Sequence, residues 1–203
     1  NKLYFGDDDS MVAEVIDNTT SRGRTLRFLY DGPHDKFKAD LYALGMTPLP
    51  PYINREPEAS DAENYQCIFA EKEGAVVAPA AALHFSRGLL TRLQIKGVKK
   101  AFVTVHNGLG AFREIDVEDL TKHRMDSEQM IASPELVETV NKARDENRRV
   151  VAVGTSVLRA IVTAESMGGH MKTYDGWTNR FIFPPHDFTV ATDLITNFHM
   201  PCS

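Results

Sequence analysis

Cysteine is scarce: the 203 residues hold two, Cys67 and Cys202. Two cannot build a disulfide framework, and no CxxC or Cys/His finger spacing occurs. A reducing cytoplasm is the expected compartment. Long apolar runs are also lacking. The longest, Ala75 to Leu83, contains nine residues and is interrupted by Pro79. A membrane span needs ~20, so none is expected, and no cationic-then-apolar leader opens the chain. Acid is missing from one long stretch, since no Asp or Glu occurs between Gly74 and Arg113.

What is present is ordinary for a globular protein: 42% hydrophobic and 25% charged residues. The length allows one large domain, or one domain with a small satellite. The net charge of -5 argues against bulk polyanion binding, but the charge is uneven. The acid-free window carries Arg87, Arg92, Lys96, Lys99, Lys100 and Arg113, a formal +6, so the remainder carries -11. Such a window reads either as a solvated helix face or as a footprint for a nucleic acid.

Two strand patterns, Met11 to Ile16 and Arg24 to Tyr30, flank the polar segment Asn18 to Gly23 and predict a hairpin. Phe37, Leu41 and Leu44 recur at helical spacing, with Gly45 as a stop. The run Thr47-Pro48-Leu49-Pro50-Pro51-Tyr52 cannot be regular structure and marks a domain boundary. Beyond it strand and helix patterns alternate. Ser86 is a helix N-cap before Leu89, Leu90 and Leu93, with Gly97 as terminator. Lys100 to His106 and Arg149 to Val153 read as buried strands. Ser133-Pro134 starts a helix with Leu136, Val137, Val140 and Ala143 on one face. Phe181 to Phe183 and Phe188 to Val190 are short strand candidates. The expected fold class is α/β, a layered domain with a largely parallel sheet.

Four histidines stand in unusual company. His84 follows an alanine-rich segment, His106 ends a strand before Asn107-Gly108-Leu109-Gly110, His123 precedes Arg124-Met125-Asp126-Ser127-Glu128, and His199 lies in Phe198-His199-Met200-Pro201. Singly, each reads as well as a hydrogen-bonded structural residue. Converging in a cleft, they read as a site. Gly108 and Gly110 suit a tight turn or a ligand loop, and they do not complete GxGxxG because position 113 is Arg. Val153-Gly154-Thr155-Ser156 reads as strand, turn and helix start, where free amides accept an anion and Arg159 adds a contact. Ordinary capping accounts for it equally. Phe85, Phe112 and Phe198 lie near these motifs as core or as stacking faces. A zinc site built from the histidines with Asp126 or Glu128 lacks any HxxxH, HExxH or HxH spacing.

Five ordered segments together resemble the S-adenosylmethionine:tRNA ribosyltransferase-isomerase family of queuosine biosynthesis. They are Pro48 to Ile53, Ala78 to Phe85, Val103 to Phe112, His123 to Glu128 with Val153 to Arg159, and Leu194 to Pro201. The resemblance implies an α/β domain into whose chain a small β-barrel is inserted. Residues 1–45 would be the C-terminal part of that barrel, and residues 46–203 the second portion of the α/β catalytic domain. Family members extend further at both ends, so the chain reads as a middle-to-late piece. It also departs from the family pattern. Ala80 and Ala82 stand where Thr and Gly are usual, Ser156 where Thr is usual, and Cys202-Ser203 where Lys-Ser-Thr is usual.

The implied reaction uses S-adenosylmethionine as a ribosyl donor to 7-aminomethyl-7-deazaguanine in tRNA, giving epoxyqueuosine and releasing adenine and methionine. The implied catalytic residues are His84, His106 and His199, one of them a general base, with Glu128 steadying positive charge. Phe85, Gly108, Gly110, Phe112, Gly154, Thr155, Ser156 and Arg159 would hold S-adenosylmethionine. Arg87, Arg92, Lys96, Lys99, Lys100 and Arg113 would meet tRNA phosphates. No metal, no membrane and a monomer are expected. A tRNA-binding module without catalysis and a metal-dependent hydrolase are the alternatives.

Overall fold

The computed structural model describes residues 1–17 and 24–199. The chain divides into two compact units, Asn1–Thr47 and Pro48–Ser203. In the first, β1 (Lys2–Phe5), β2 (Met11–Asp17) and β3 (Thr25–Leu29) form an antiparallel sheet in that order. Leu3 faces Ala13 in register, and Val12 faces Leu29. Met11 and Ala13 alternate with less buried residues, as a strand with one covered face requires. The expected pairing of the two strand patterns is observed, while the turn at 18–23 lies outside the described residues. Among the described residues the three strands do not close into a barrel. Helix α1 (His34–Leu44) docks through Phe37, whose ring lies 5.2 Å from both Phe28 and Tyr30. The Tyr30 hydroxyl donates to Asp40 at 2.8 Å.

The second unit begins with the proline-rich segment and a short helix, α2 (Asp61–Asn64). There Arg55 makes a two-pronged contact to Asp61, each hydrogen bond 2.7 Å. Helix α3 (Arg87–Ile95) starts where expected, because the Ser86 hydroxyl accepts from Leu89 N–H at 3.1 Å. It ends at Gly97, whose φ of +79° lets Val98 N–H reach back to the Leu93 carbonyl at 3.0 Å.

The core lies further on. Strand β4 (Thr104–Val105) pairs with β5 (Glu128–Ala132), and β5 pairs with β9 (Tyr174–Thr178), both antiparallel. Helix α4 (Pro134–Asp145) is capped by Ser133 and places Leu136 and Val140 against that core. Strand β6 (Val151–Val153) leads into α5 (Thr155–Ala164), which buries Ala160, Ile161, Val162 and Ala164. Strands β7 (Glu165–Ser166) and β8 (His170–Met171) form a small hairpin. Strand β10 (Asp193–Ile195) returns parallel to β6.

Three sequence expectations differ from this. Among the described residues only β10 and β6 pair in parallel, so the sheets are not largely parallel. Apolar periodicity marks a strand but not the direction in which its partner runs. Of Lys100 to His106 only Thr104–Val105 is paired strand. Phe181 to Phe183 and Phe188 to Val190 are not strands; Phe181 instead packs on His123 and Phe183, and Pro184-Pro185 between the two segments lack donors for a ladder.

Candidate active site

The loop after β4 folds back along β5 and is held by its own backbone. His106 N–H donates to the Gln129 carbonyl at 2.9 Å, extending the β4–β5 ladder by one residue. Asn107 is buried, and its carbonyl accepts from Val76 N–H at 2.8 Å and Val77 N–H at 3.2 Å. Gly108 N–H donates to Glu128 Oε1 at 2.7 Å. Gly110 then packs so closely on Asp126 that an added Cβ would lie 2.8 Å from Oδ2. Asp126 accepts from Arg113 Nη1 at 2.7 Å. Gly110 therefore serves close approach to an acidic side chain, whereas a Cβ on Gly108 would meet Glu128 Oε1 at an ordinary 3.8 Å, and neither glycine takes positive φ.

Glu128 is the junction of the site. Its side chain is 5% exposed. Oε1 takes the Gly108 amide, while Oε2 is paired with the Arg159 guanidinium. Arg159 reaches it from the second turn of α5, and Thr163, one turn later on the same face, shares a 2.8 Å hydroxyl contact with buried Thr178. Thr178 faces Glu128 across the β5–β9 pairing. Arg180 adds a 2.7 Å hydrogen bond to the Val162 carbonyl. Burial pulls the Arg159 pKa below its ordinary value. The facing carboxylate opposes this, and a guanidinium keeps its proton under such conditions.

This geometry bears on three expected roles. Glu128 and Arg159 neutralise each other inside the protein, so neither charge is free for a ligand. Arg113 is likewise matched by Asp126. The window's remaining cations, Arg87, Arg92, Lys96, Lys99 and Lys100, are all exposed on α3 and the segment after it, and among the described residues they form no ion pair.

The N-terminus of α5 lies at the end of β6. Gly154 has φ +97° and precedes the helix with no side-chain cap, leaving the Thr155 and Ser156 hydroxyls uncommitted to capping. Its N–H donates to the Ile195 carbonyl at 2.8 Å. The segment Thr196 to His199 therefore leaves β10 at the same end where α5 begins. A Cβ on Gly154 would lie 4.0 Å from the Ala81 Cβ, which brings the 3-10 turn Ala80–His84 to that end as well.

The segments carrying His84 and His199 thus both abut Gly154. The rings themselves are less gathered. His84 and His199 are exposed, and His199 Nε2 lies 3.4 Å from the Thr196 hydroxyl. Among the described residues no hydrogen bond or ring contact joins His84, His106 and His199. Phe85 packs 6.0 Å from Phe69, Phe112 is half-buried beside the glycine loop, and Phe198 is exposed. Met200 to Ser203 lie outside the described residues. Among the described residues no three His, Cys, Asp or Glu side chains are grouped to hold a metal ion, and no helix is long and apolar enough to cross a membrane.

Sequence reasoning missed Thr163, Thr178 and Arg180. The Arg159–Thr163 spacing of four on a helix was the available signal for the first. The others join the site only through strand pairing and loop packing distant in sequence.

The family described as "Queuosine biosynthesis protein" matches residues 1–203. Among curated proteins the chain is 70% identical over 203 residues to an S-adenosylmethionine:tRNA ribosyltransferase-isomerase of Parabacteroides distasonis, covering 100% of this chain and 58% of the relative. It is 67% identical over 204 residues to one of Bacteroides fragilis, with 100% and 58% covered. A Flavobacterium psychrophilum protein of the same name is 59% identical over 203 residues, again with 100% and 58% covered. The chain therefore spans about 58% of the length of these relatives.

Proposed function

Because this chain belongs to the queuosine biosynthesis protein family, we propose that it carries part of the active site of an S-adenosylmethionine:tRNA ribosyltransferase-isomerase. The substrate is tRNA bearing 7-aminomethyl-7-deazaguanine, and S-adenosylmethionine donates the ribosyl unit. Adenine and methionine leave, and the product is epoxyqueuosine-tRNA. The unit Asn1–Thr47, an open three-stranded sheet with one helix, is read as the closing part of an inserted β-barrel. The remainder is read as the second portion of a layered α/β catalytic domain. A monomer in the cytoplasm is the working picture.

The observation that carries the reading is the meeting of loop, strand and helix at Glu128. The Gly108 amide, Arg159 and the β5–β9 edge are fixed there, while the start of α5 and the segments bearing His84 and His199 collect around Gly154. Such a framework offers backbone amides held by rigid elements, with the imidazole-bearing segments beside them. The carbon beside a sulfonium is acidified, so ribosyl transfer needs a base, and an imidazole suits that task near neutral pH. The Thr155 and Ser156 amides and hydroxyls suit the methionine carboxylate. Glu128 holds this framework in place through Gly108 and Arg159. The five exposed cations on and after α3, which form no ion pair among the described residues, suit the anticodon-stem phosphates.

The test uses the full-length gene product, S-adenosylmethionine and an anticodon stem-loop carrying the modified base. Release of free adenine that depends on both substrates supports the reading. Tight binding of the stem-loop with no adenine release, under conditions where a curated relative releases it, contradicts catalysis and leaves tRNA binding alone.

A further inference from the structure

The imidazole of His106 is constrained on one edge. Residues 74–77 run across it as a strap. Val76 and Val77 are fixed by their amides to the Asn107 carbonyl, and Gly74 is placed against the ring. A Cβ on Gly74 would lie 2.7 Å from Nδ1, 2.9 Å from Cε1 and 3.2 Å from Cγ. Gly74 also has φ +135°, a conformation other residues rarely adopt. The glycine is thus required twice, by its backbone and by the ring beside it. Nδ1 is buried, and among the described residues it has no hydrogen-bond partner. Nε2 is not among the buried unpartnered atoms.

A neutral imidazole carries its proton on one nitrogen and a lone pair on the other. Burying an N–H with no acceptor is the rarer and costlier choice; an under-satisfied acceptor is more readily tolerated. The sealed nitrogen therefore keeps the lone pair, and the accessible nitrogen keeps the proton. We propose that the Gly74–Val77 strap holds His106 as the Nε2–H tautomer, so that it acts as a hydrogen-bond donor to the departing adenine and not as the general base. This rests on the functional reading above. No proton leaves His106 in this role: Nε2–H donates a hydrogen bond to a ring nitrogen of adenine as the glycosidic electron pair moves onto the base, and the departing adenine anion takes its proton from solvent water. The proton beside the sulfonium then goes to another base, for which exposed His84 and His199, whose segments abut Gly154, are the candidate imidazoles. Gly74 is a positioning residue acting through His106.

Two measurements on the full-length gene product test this. Long-range 1H–15N spectra report imidazole tautomers directly, with the His106 signals assigned by their loss in His106→Gln. The expected pattern at neutral pH is Nε2–H; a Nδ1–H or doubly protonated pattern overturns the proposal. Adenine release is then compared for His106→Ala, His106→Gln and Gly74→Ala. A glutamine amide can donate from nearly the same place but cannot take a proton. His106→Ala is expected to lose ~100-fold or more. His106→Gln is expected to recover a clear part, about 10-fold, of what His106→Ala loses, and Gly74→Ala to lose activity with a shifted tautomer pattern. Equal losses in Ala and Gln overturn the donor role alone. Wild-type turnover in His106→Ala overturns both this proposal and the placement of His106 in the site. Wild-type turnover in Gly74→Ala, with His106→Ala inactive, overturns the strap.

Discussion

At the scale of single residues the site depends on charges that cancel in place. Removing one partner of a buried ion pair leaves the other uncompensated, which costs about 3–5 kcal/mol. Glu128→Gln retains an acceptor for Gly108 N–H but strands the Arg159 charge, so its unfolding free energy, read from urea denaturation, should fall by an amount in that range. Glu128→Leu with Arg159→Met should recover much of the stability without recovering adenine release. A stable Glu128→Gln protein would remove Glu128 from its role as junction. Gly154→Ala tests a different constraint. The added methyl meets Ala81 at an ordinary 4.0 Å, so the cost is backbone strain at φ +97°, about 1–3 kcal/mol. Sequence made Glu128 and Arg159 visible as functional side chains, yet their mutual pairing was not legible. It depends on α5 crossing β5, a relation between segments thirty residues apart.

At the scale of elements, two local devices depend on pH in opposite directions. Asp61 accepts from Arg55 and from the Glu58 amide, which holds its pKa down at about 2. A carboxyl depressed in the folded state stabilises the fold above its unfolded value and loses that contribution as pH falls toward 2. Arg55→Gln should therefore weaken the protein at neutral pH and flatten its acid unfolding limb, read by circular dichroism from pH 5 to pH 2. The hairpin of β7 and β8 behaves the other way. His170 is tied to Asp145 at 2.8 Å and to the Gly168 carbonyl, and both raise its pKa. Its contribution is complete below the unfolded value and disappears as pH rises through the raised one. The His170 ring should titrate above an ordinary histidine by NMR, and Asp145→Asn should bring it back. Helices α3 and α4 were readable in the sequence because their caps are local. Ser86 and Ser133 accept the first amides, and Gly97 and Asn147 take positive φ at the ends. Strands β5 and β9 were not read, because one is five residues abutting a helix cap and the other contains Gly176. Their meaning comes from pairing with each other.

At the scale of the molecule, charge is segregated. The exposed cations Arg87, Arg92, Lys96, Lys99 and Lys100 lie on an otherwise acidic chain. If they meet tRNA phosphates, Lys99→Gln with Lys100→Gln should weaken stem-loop binding and reduce the slope of log affinity against log salt by roughly 1–2. An unchanged slope would place the phosphates elsewhere. The sequence order of five motifs identified the family, and the structure adds which of their segments meet. It brings the His84 and His199 segments to Gly154 and the glycine loop to Glu128. The most direct measurement is a crystal structure of the full-length gene product with S-adenosylmethionine bound. The expected result is a nucleoside against the Gly108–Gly110 loop and the N-terminus of α5, with His106 Nε2 facing its adenine. A ligand seated away from Glu128 and Gly154 would contradict it.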